Sequence, residues 1–388
     1  MLKLHKLFAE QISHAFGHQL KPTDGQREYL VSCKNKIRDH LRKGIEAATV
    51  SHLGMTRRVS PRFRTQGSWS YGTCVQPAQH PPQEMDWDFG VYLPVTVWED
   101  NGPPHAMAKL YFQLVEQLLQ SLCAQENWSL ISGKDTCIRV KIASWAHVDL
   151  PLYAAPENQF IQIAEKAAAL TARGIAMDST YLSESFTAGE IQAQLWEDMD
   201  TIMLATRSGE WKESDPEAVT RWVKDRIVEH GDQLVRVWRY LKAWRDFHWK
   251  DGGPSSVCLM IAIAQNFQRQ LGRDDLAIEK AAEHLATAIR FEIREVAIDD
   301  RSEDFNRLDP MGRELAAQKA EELQNSIFQA RTWNFGLKLN AINSLRQAFG
   351  QRIPDDQSLI EQDTGAETIR NIDARQVKRP AVVATQAG

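Results

Sequence analysis

The chain has 388 residues, which is long enough for two or three domains or for one bilobal core with a tail. Hydrophobic residues make up 43% of it and 12 residues are tryptophan, so intrinsic disorder is excluded for most of the chain. The formal net charge of -5 argues against a constitutive nucleic-acid-binding protein, which would carry an excess of basic residues.

The first fifty residues are predicted to form amphipathic helices. Apolar residues recur every four positions from Leu4 to Phe16, and a second periodic stretch covers about residues 26–48. We expect residues 1–50 to pack on the catalytic core. The N-terminus is too polar for a signal peptide, and no apolar run is long enough to span a bilayer. The five cysteines show neither disulfide-framework nor zinc-ligand spacing, so we expect a reducing cytoplasm.

Residues 51–213 are predicted to form a mixed α/β core. A Gly-Ser turn at Gly67 and Ser68 precedes a β-type run, a helix is predicted at about 105–126, and two short strands are predicted within residues 136–154. Glycine lets the backbone approach a ligand closely, and a cluster of backbone N–H groups attracts anions. The turn is therefore a candidate site for a polyphosphate.

Three aspartates are the candidate metal ligands. Asp86 and Asp88 are separated by one residue, so in a strand both carboxylates lie on one face, and Asp149 comes from a later strand. Three converging carboxylates can hold the two Mg²⁺ ions that neutralise charge during nucleotidyl transfer. An isolated Asp-x-Asp pair more often marks an exposed face, and the neighbouring Gly-Ser turn favours the functional interpretation. No Walker A loop or protein-kinase motif set occurs.

Residues 214–350 are predicted to form a second, helical lobe. A Gly-Gly-Pro break places Ser255 and Ser256 at a helix N-terminus, where a serine either caps the helix or contacts a phosphate. Lys242 lies beside apolar helix positions and is either a triphosphate contact or a surface lysine. Residues 351–388 are polar and weakly patterned, which predicts a flexible C-terminal tail.

Several separated motifs resemble those of the bacterial cGAS/DncV-like nucleotidyltransferase (CD-NTase) family, with most likeness to its DncV-type cyclic GMP-AMP synthases. They are QGSWSYGT, QEMDWDFGVYLP, TCIRVKI, HVDLPLYA, WKESDPEAVTRW and LKAWRDFHWKDGGPSSVCLM. The resemblance implies an α+β fold, with a polymerase-β-like nucleotidyltransferase core of mixed sheet, a helical lobe, and an active site in the cleft between them. It also implies Mg²⁺-dependent synthesis of 3',3'-cyclic GMP-AMP from ATP and GTP with release of pyrophosphate. The cofactor would be two Mg²⁺ ions, for which Mn²⁺ could substitute.

The resemblance also assigns residues, beginning with Asp86, Asp88 and Asp149 as the catalytic and metal-binding triad. The implied nucleotide contacts are Gln66, Gly67 and Ser68 at the donor triphosphate, Lys242 and Ser256 with the neighbouring Ser255 at further phosphates, and Tyr71, Arg139, Ser214 and Asp215 at the base or acceptor. An acidic residue of the lid region is either Glu303 or Asp304, and Asp304 is carried as the candidate.

The family also implies partners for the chain. Its members serve antiphage (CBASS) signalling, in which the product activates a downstream effector, and some operons encode a ubiquitin-transfer-like ligase that would act on Gly388. No zinc-bound DNA-contacting insertion is visible, so DNA activation is not implied, and the lack of a long apolar run argues against membrane attachment. The alternatives are a synthase of another cyclic di- or trinucleotide or a linear oligonucleotide, a non-catalytic nucleotide sensor, and a polymerase or tRNA-modifying nucleotidyltransferase.

Overall fold

The computed structural model describes residues 1–99, 103–162, 202–298 and 303–363. A mixed sheet packed against two long helices forms one lobe, and helices form the other, so the predicted α+β class is confirmed. Among the described helices, none combines the length and the apolar character needed to cross a membrane.

The described strands and helices are numbered here in chain order. The strands are β1 (Leu2–Lys3), β2 (Arg62–Thr65), β3 (Met85–Val95), β4 (Ser129–Ile131), β5 (Ile138–Ala143), β6 (Ala146–Leu150), β7 (Leu152–Pro156), β8 (Met203–Ala205), β9 (Trp211–Glu213) and β10 (Glu361–Gln362). The helices are α1 (His5–Phe8), α2 (Phe16–Gln19), α3 (Asp24–Ala48), α4 (Gly67–Ser70), α5 (His105–Glu126), α6 (Pro216–His230), α7 (Asp232–His248), α8 (Ser256–Ala264), α9 (Asp274–Ala288), α10 (Pro310–Thr332) and α11 (Lys338–Phe349).

Strand β3 is the centre of the sheet. It runs parallel to β6 and then to β7 in one continuous register, while β2 pairs antiparallel with its middle residues. Pro151 separates β6 from β7, because proline has no backbone N–H to donate to the ladder. Its carbonyl still accepts a hydrogen bond from the Val91 N–H at 3.0 Å, so the two short strands act as one long partner for β3.

Helices α3 and α5 cover one face of this sheet. A capping box starts α3, in which Thr23 and Gln26 exchange side-chain-to-backbone hydrogen bonds, and α5 occupies the predicted range 105–126. Along β3, Trp87 and Phe89 are buried with these helices, whereas Asp86 and Asp88 alternate with them and remain partly exposed. The two carboxylates therefore point to the opposite face, as the strand period requires.

The first twenty residues pack differently from the prediction. Amphipathic helices were predicted here from the four-residue spacing of Leu4 to Phe16, but the segment forms the short strand β1 and two single-turn helices, α1 and α2, and folds back on itself. A side chain at Gly17 would lie 2.2 Å from the carbonyl oxygen of Phe8, so only glycine allows this close return. The rings of Phe8 and Phe16 pack against Tyr240 and Phe349, which places this segment on the helical lobe and not on the catalytic core.

The start of the predicted flexible tail is also structured. Ile353 and Ile360 are buried in the helical lobe, and β10 pairs antiparallel with β1. The Asp363 N–H donates to the Met1 carbonyl at 2.7 Å and closes the pair. The prediction of a tail beginning at residue 351 is therefore wrong for residues 351–363. Residues 364–388, and with them the proposed conjugation site Gly388, lie outside the described residues.

Candidate active site

The structure brings the three predicted metal ligands together. In the parallel pairing of β3 with β6, Asp88 lies opposite Asp149 and Asp86 lies opposite His147. One ligand atom each from Asp86, His147 and Asp149 lie within 4.8 Å of one another, a spacing that one cation could bridge. Asp86 and Asp149 thus meet with His147 at one candidate cation site, and Asp88 lies opposite Asp149 without belonging to that group of ligand atoms.

Asp149 is held by two cationic side chains. Arg139, opposite it on β5, donates from Nε and Nη2 to the two carboxylate oxygens at 2.7 Å each, and Lys134 Nζ donates at 2.6 Å. Burial opposes ionisation of Asp149, but these hydrogen bonds lower its pKa below the ordinary value. Arg139, predicted as a base or acceptor contact, is thus engaged with the metal triad in this structure.

The surroundings of Asp88 oppose its ionisation. Burial, and then the charges of Asp86 and Asp149, raise its pKa to about 7. The Gly-Ser turn presses directly against it: Gly67 has a φ of +61°, and a Cβ at that residue would lie 1.9 Å from Asp88 Oδ2. Only glycine permits both this backbone conformation and this approach. The phosphate-type turn and the carboxylates are therefore one compact site.

His147 was not among the residues predicted from the sequence. It is buried, its Nδ1 lies 2.9 Å from Glu84 Oε2, and Lys141 Nζ contacts the other Glu84 oxygen at 2.5 Å. Its Nε2 lies 3.1 Å from Asp86 Oδ1. Burial lowers the pKa of His147, but the Asp86 carboxylate raises it overall. The His-x-Asp spacing, which puts His147 and Asp149 on one face of a strand, was the signal that could have found it.

A cavity of about 380 Å³ lies between the two lobes and over these carboxylates. Of the predicted residues, the turn, both β3 aspartates, Tyr71, Lys242 and Ser256 line it. Further lining residues are Thr73, Cys74, Val75, Glu84, Met85, Val219, Arg245, Asp246, Val257 and Met260. The predicted cleft between the core and the helical lobe is therefore present.

The helical lobe contributes a basic wall to the cavity. Lys242 is buried and donates to the Thr73 carbonyl at 2.8 Å, and burial lowers its pKa. Arg245, one turn further along α7, lies 3.3 Å from Ser256 Oγ and bonds the neighbouring Asp246 at 2.7 Å. Arg245 was missed in the sequence, although its three-residue spacing from Lys242 places both on one helix face.

Two other predicted contacts are turned away from the cavity. The Gln66 amide donates to Tyr92 Oη at 2.7 Å, and its side-chain oxygen accepts from Tyr153 Oη at 3.4 Å, so it is fully engaged in the core. Ser255 caps α8 by accepting from the Cys258 N–H at 3.1 Å, which favours the capping interpretation of this serine.

The remaining predicted contacts are held by local structure. Asp215 caps α6 through the backbone N–H groups of Glu217 and Ala218, and the adjacent Ser214 bonds through its backbone to Ile202. Asp304 accepts from the Ile293 and Asn306 backbone N–H groups and from Arg313, whereas Glu303 pairs with Arg307. In the described residues, none of these four reaches the cavity lining. Their nucleotide contacts stay predictions.

Two family models match the chain. The nucleotidyltransferase domain of cyclic GMP-AMP synthase DncV-like proteins matches residues 61–153, and the cyclic GMP-AMP synthase C-terminal domain matches residues 231–362. The first range contains Asp86, Asp88 and Asp149, and the second contains Lys242 and Ser256. The two matches fall on the two sides of the cavity.

Named relatives and a solved structure agree with these matches. The chain is 33% identical over 319 residues to the cyclic GMP-AMP synthase of Vibrio cholerae serotype O1, covering 79% of this chain and 70% of that relative. It is 39% identical over 216 residues to an Escherichia coli cyclic GMP-AMP synthase, covering 55% of this chain and 49% of that relative. The structure of V. cholerae DncV with the linear intermediate 5' pppA(3',5')pG has a TM-score of 0.74 at 25% identity, covering 93% of this chain and 99% of that one. The predicted nucleotidyltransferase fold is confirmed by this likeness.

Proposed function

This chain belongs to the DncV-like nucleotidyltransferase family, and from that premise we propose that it joins ATP and GTP into 3',3'-cyclic GMP-AMP and releases pyrophosphate. The observation that carries the proposal is that Asp86 and Asp88 line the cavity between the lobes together with the Gly67–Ser68 turn, while Asp149 lies opposite Asp88 on the neighbouring strand. A turn that approaches a carboxylate this closely can hold a phosphate chain next to the bound cations.

The residues present fit divalent cations. Asp86 Oδ1 is buried and has no hydrogen-bond partner among the described residues, and the carboxylates of Asp86, Asp88 and Asp149 are hard oxygen donors of the kind that Mg²⁺ prefers. We propose that these three residues hold two Mg²⁺ ions, with Mn²⁺ as an alternative. When bound, such ions supply charge neutralisation on the phosphates and lower the pKa of the attacking hydroxyl.

The chain's own groups bind and orient the nucleotide. The Gly67 and Ser68 backbone N–H groups and the Ser68 hydroxyl would hold the donor triphosphate. Lys242 and Arg245 face the same space from α7, where the buried ammonium needs only to exchange the Thr73 carbonyl for a phosphate oxygen. Positive charge on one wall and carboxylates on the other would align the triphosphate between them.

The product is the direct test of this function. Purified protein is incubated with Mg²⁺ and all four nucleoside triphosphates, and products are identified by mass spectrometry before and after digestion with nuclease P1, which cleaves 3'–5' bonds. A P1-sensitive cyclic species of one AMP and one GMP unit supports the proposal. A different cyclic or linear product would favour another synthase of the same family. If neither the wild-type protein nor the Asp86/Asp88 variant makes a product, the sensor alternative is favoured.

The biological setting is also proposed from the family resemblance. The product would act as a second messenger in antiphage (CBASS) signalling in the cytoplasm, where it activates an effector, and a ubiquitin-transfer-like ligase would conjugate Gly388. Co-expression with such a ligase tests the second point. Conjugates that persist after deletion of Gly388 would contradict it.

A further inference from the structure

We propose that His147 is a nitrogen ligand of the divalent cation bound by Asp86, so that this site binds transition-metal dications more tightly than Mg²⁺. The inference rests on the proposed function, because it concerns a metal held by the same aspartates. It goes beyond the aspartate triad, since it assigns a ligand from a different residue type and a metal preference that follows from it.

His147 and Asp86 place two possible metal-ligand atoms side by side. Its side chain is only 7% exposed, and its Nε2 lies 3.1 Å from Asp86 Oδ1. Both atoms are buried, and neither makes a hydrogen bond of acceptable geometry within the described residues. With a carboxylate oxygen of Asp149, these two atoms lie within 4.8 Å of one another, a spacing that one cation could bridge. Adjacent ligands of an octahedral ion with bonds of about 2.1 Å are separated by about 3 Å, which matches the separation of these two atoms.

The groups behind His147 orient its ring for ligation. The ionised Glu84 carboxylate can only accept, so Nδ1 must be the donor in the 2.9 Å contact with Glu84 Oε2. Metal binding would release the Nε2 proton and leave the lone pair on Nε2, on the side of Asp86. Lys141 holds the other oxygen of Glu84 at 2.5 Å and fixes that carboxylate in turn. A carboxylate behind a histidine is the usual support of a metal-bound imidazole.

A metal preference follows from the nitrogen donor. Mg²⁺ favours oxygen ligands and holds its waters strongly, whereas first-row transition ions accept imidazole, with affinity rising from Mn²⁺ to Co²⁺. We therefore expect replacement of His147 to weaken Mn²⁺ binding on the order of tenfold or more, the range seen when support of a metal ligand is lost, while Mg²⁺ binding changes much less.

Pulsed electron paramagnetic resonance with Mn²⁺ alone tests this assignment. Full-length wild-type protein, His147→Gln and the control His40→Gln are loaded with Mn²⁺, and the ¹⁴N coupling of a directly bound imidazole is recorded. Glutamine keeps a polar group of similar reach beside Asp86 but has no ring nitrogen, so it separates ligation from simple positioning. His40 bonds the Leu118 carbonyl away from the cavity and leaves the site unchanged.

The expected result is ¹⁴N coupling in the wild type and His40→Gln, and its loss in His147→Gln together with the fall in Mn²⁺ affinity. The proposal is overturned if the wild type binds no Mn²⁺, if bound Mn²⁺ shows no nitrogen coupling, or if coupling persists in His147→Gln. Product formation with Mg²⁺ is measured on the same samples. A wild type that makes product without nitrogen coupling refutes the ligand alone, whereas nitrogen coupling without any nucleotide product refutes the proposed function alone.

Discussion

Gly67→Ala should separate the role of the turn from its contribution to stability. Gly67 has a φ of +61°, and the added methyl group would lie 1.9 Å from Asp88 Oδ2 and 2.9 Å from its Cγ. A Cβ atom essentially never lies closer than 3.0 Å to a non-bonded atom, so the Asp88 carboxylate must move by roughly 1 Å or the turn must shift. A displacement of about 1 Å in a reacting group can lower the rate about 100-fold, which corresponds to about 2.7 kcal/mol of lost transition-state stabilisation.

Gly54→Ala is the matched control for this substitution. Gly54 has a φ of +68°, but its added methyl group would meet no atom within 4 Å. Both variants pay the same backbone penalty of roughly 1–2 kcal/mol for a left-handed alanine, and only Gly67→Ala displaces Asp88. Both variants should therefore lose at least this much unfolding free energy, and Gly67→Ala more because of its clash, whereas kcat, followed by pyrophosphate release, should fall about 100-fold in Gly67→Ala alone. Equal activity in the two variants would refute the argument that the turn positions Asp88.

Three further substitutions test other parts of the site and fold. The double change Asp86→Ala and Asp88→Ala should abolish product. The pKa of Asp88 is raised to about 7, so the contribution of this carboxyl group to stability is lost as the pH rises through that value. At pH 8 in the presence of a chelator, the double variant should therefore melt no lower than the wild type. Lys242→Met should lower kcat/KM about tenfold to a hundredfold through loss of a charged phosphate contact, and an unchanged kcat/KM would exclude that contact. Asp274→Asn should cost about 2–3 kcal/mol near neutral pH, since the Arg236 and Gln233 hydrogen bonds outweigh burial and lower the pKa of Asp274. The stability from ionised Asp274 is present above the unfolded pKa of about 3.9 and is lost as the pH falls. In urea unfolding, the free energies of unfolding of wild type and Asp274→Asn should therefore become equal in acid. A difference that stays constant with pH would contradict this prediction.

The residues closest to the chemistry were the most predictable. The Asp-x-Asp spacing defines a face of a strand without reference to any other part of the chain, and the Gly-Ser turn is a local feature of backbone freedom. Helix α5 was likewise predictable from its apolar period, because that period depends only on neighbours along the chain. Each of these predictions rests on short-range geometry.

Other predictions failed where distant segments compete for the same residues. Leu4, Phe8 and Phe16 have a helical period, but Phe8 and Phe16 pack against Tyr240 and Phe349 of distant helices, and the segment is buried in the helical lobe. The polar residues after 350 gave no signal of structure, since Ile353 and Ile360 are buried only by helices far away in the chain. Gln66 was expected at the donor triphosphate, but two tyrosines from other strands hold it in the core.

The sequence by itself determined which chemical groups this protein offers: three carboxylates, a glycine turn and a lysine at spacings that local backbone geometry makes meaningful. Only the tertiary structure decided how they meet, because the register of β3 with β6 sets Asp88 against Asp149 and His147 against Asp86. The same packing brought Lys242 and Arg245 to the opposite wall of the cavity. Register and lobe packing depend on burying apolar surface from segments far apart in the chain, which no local pattern specifies.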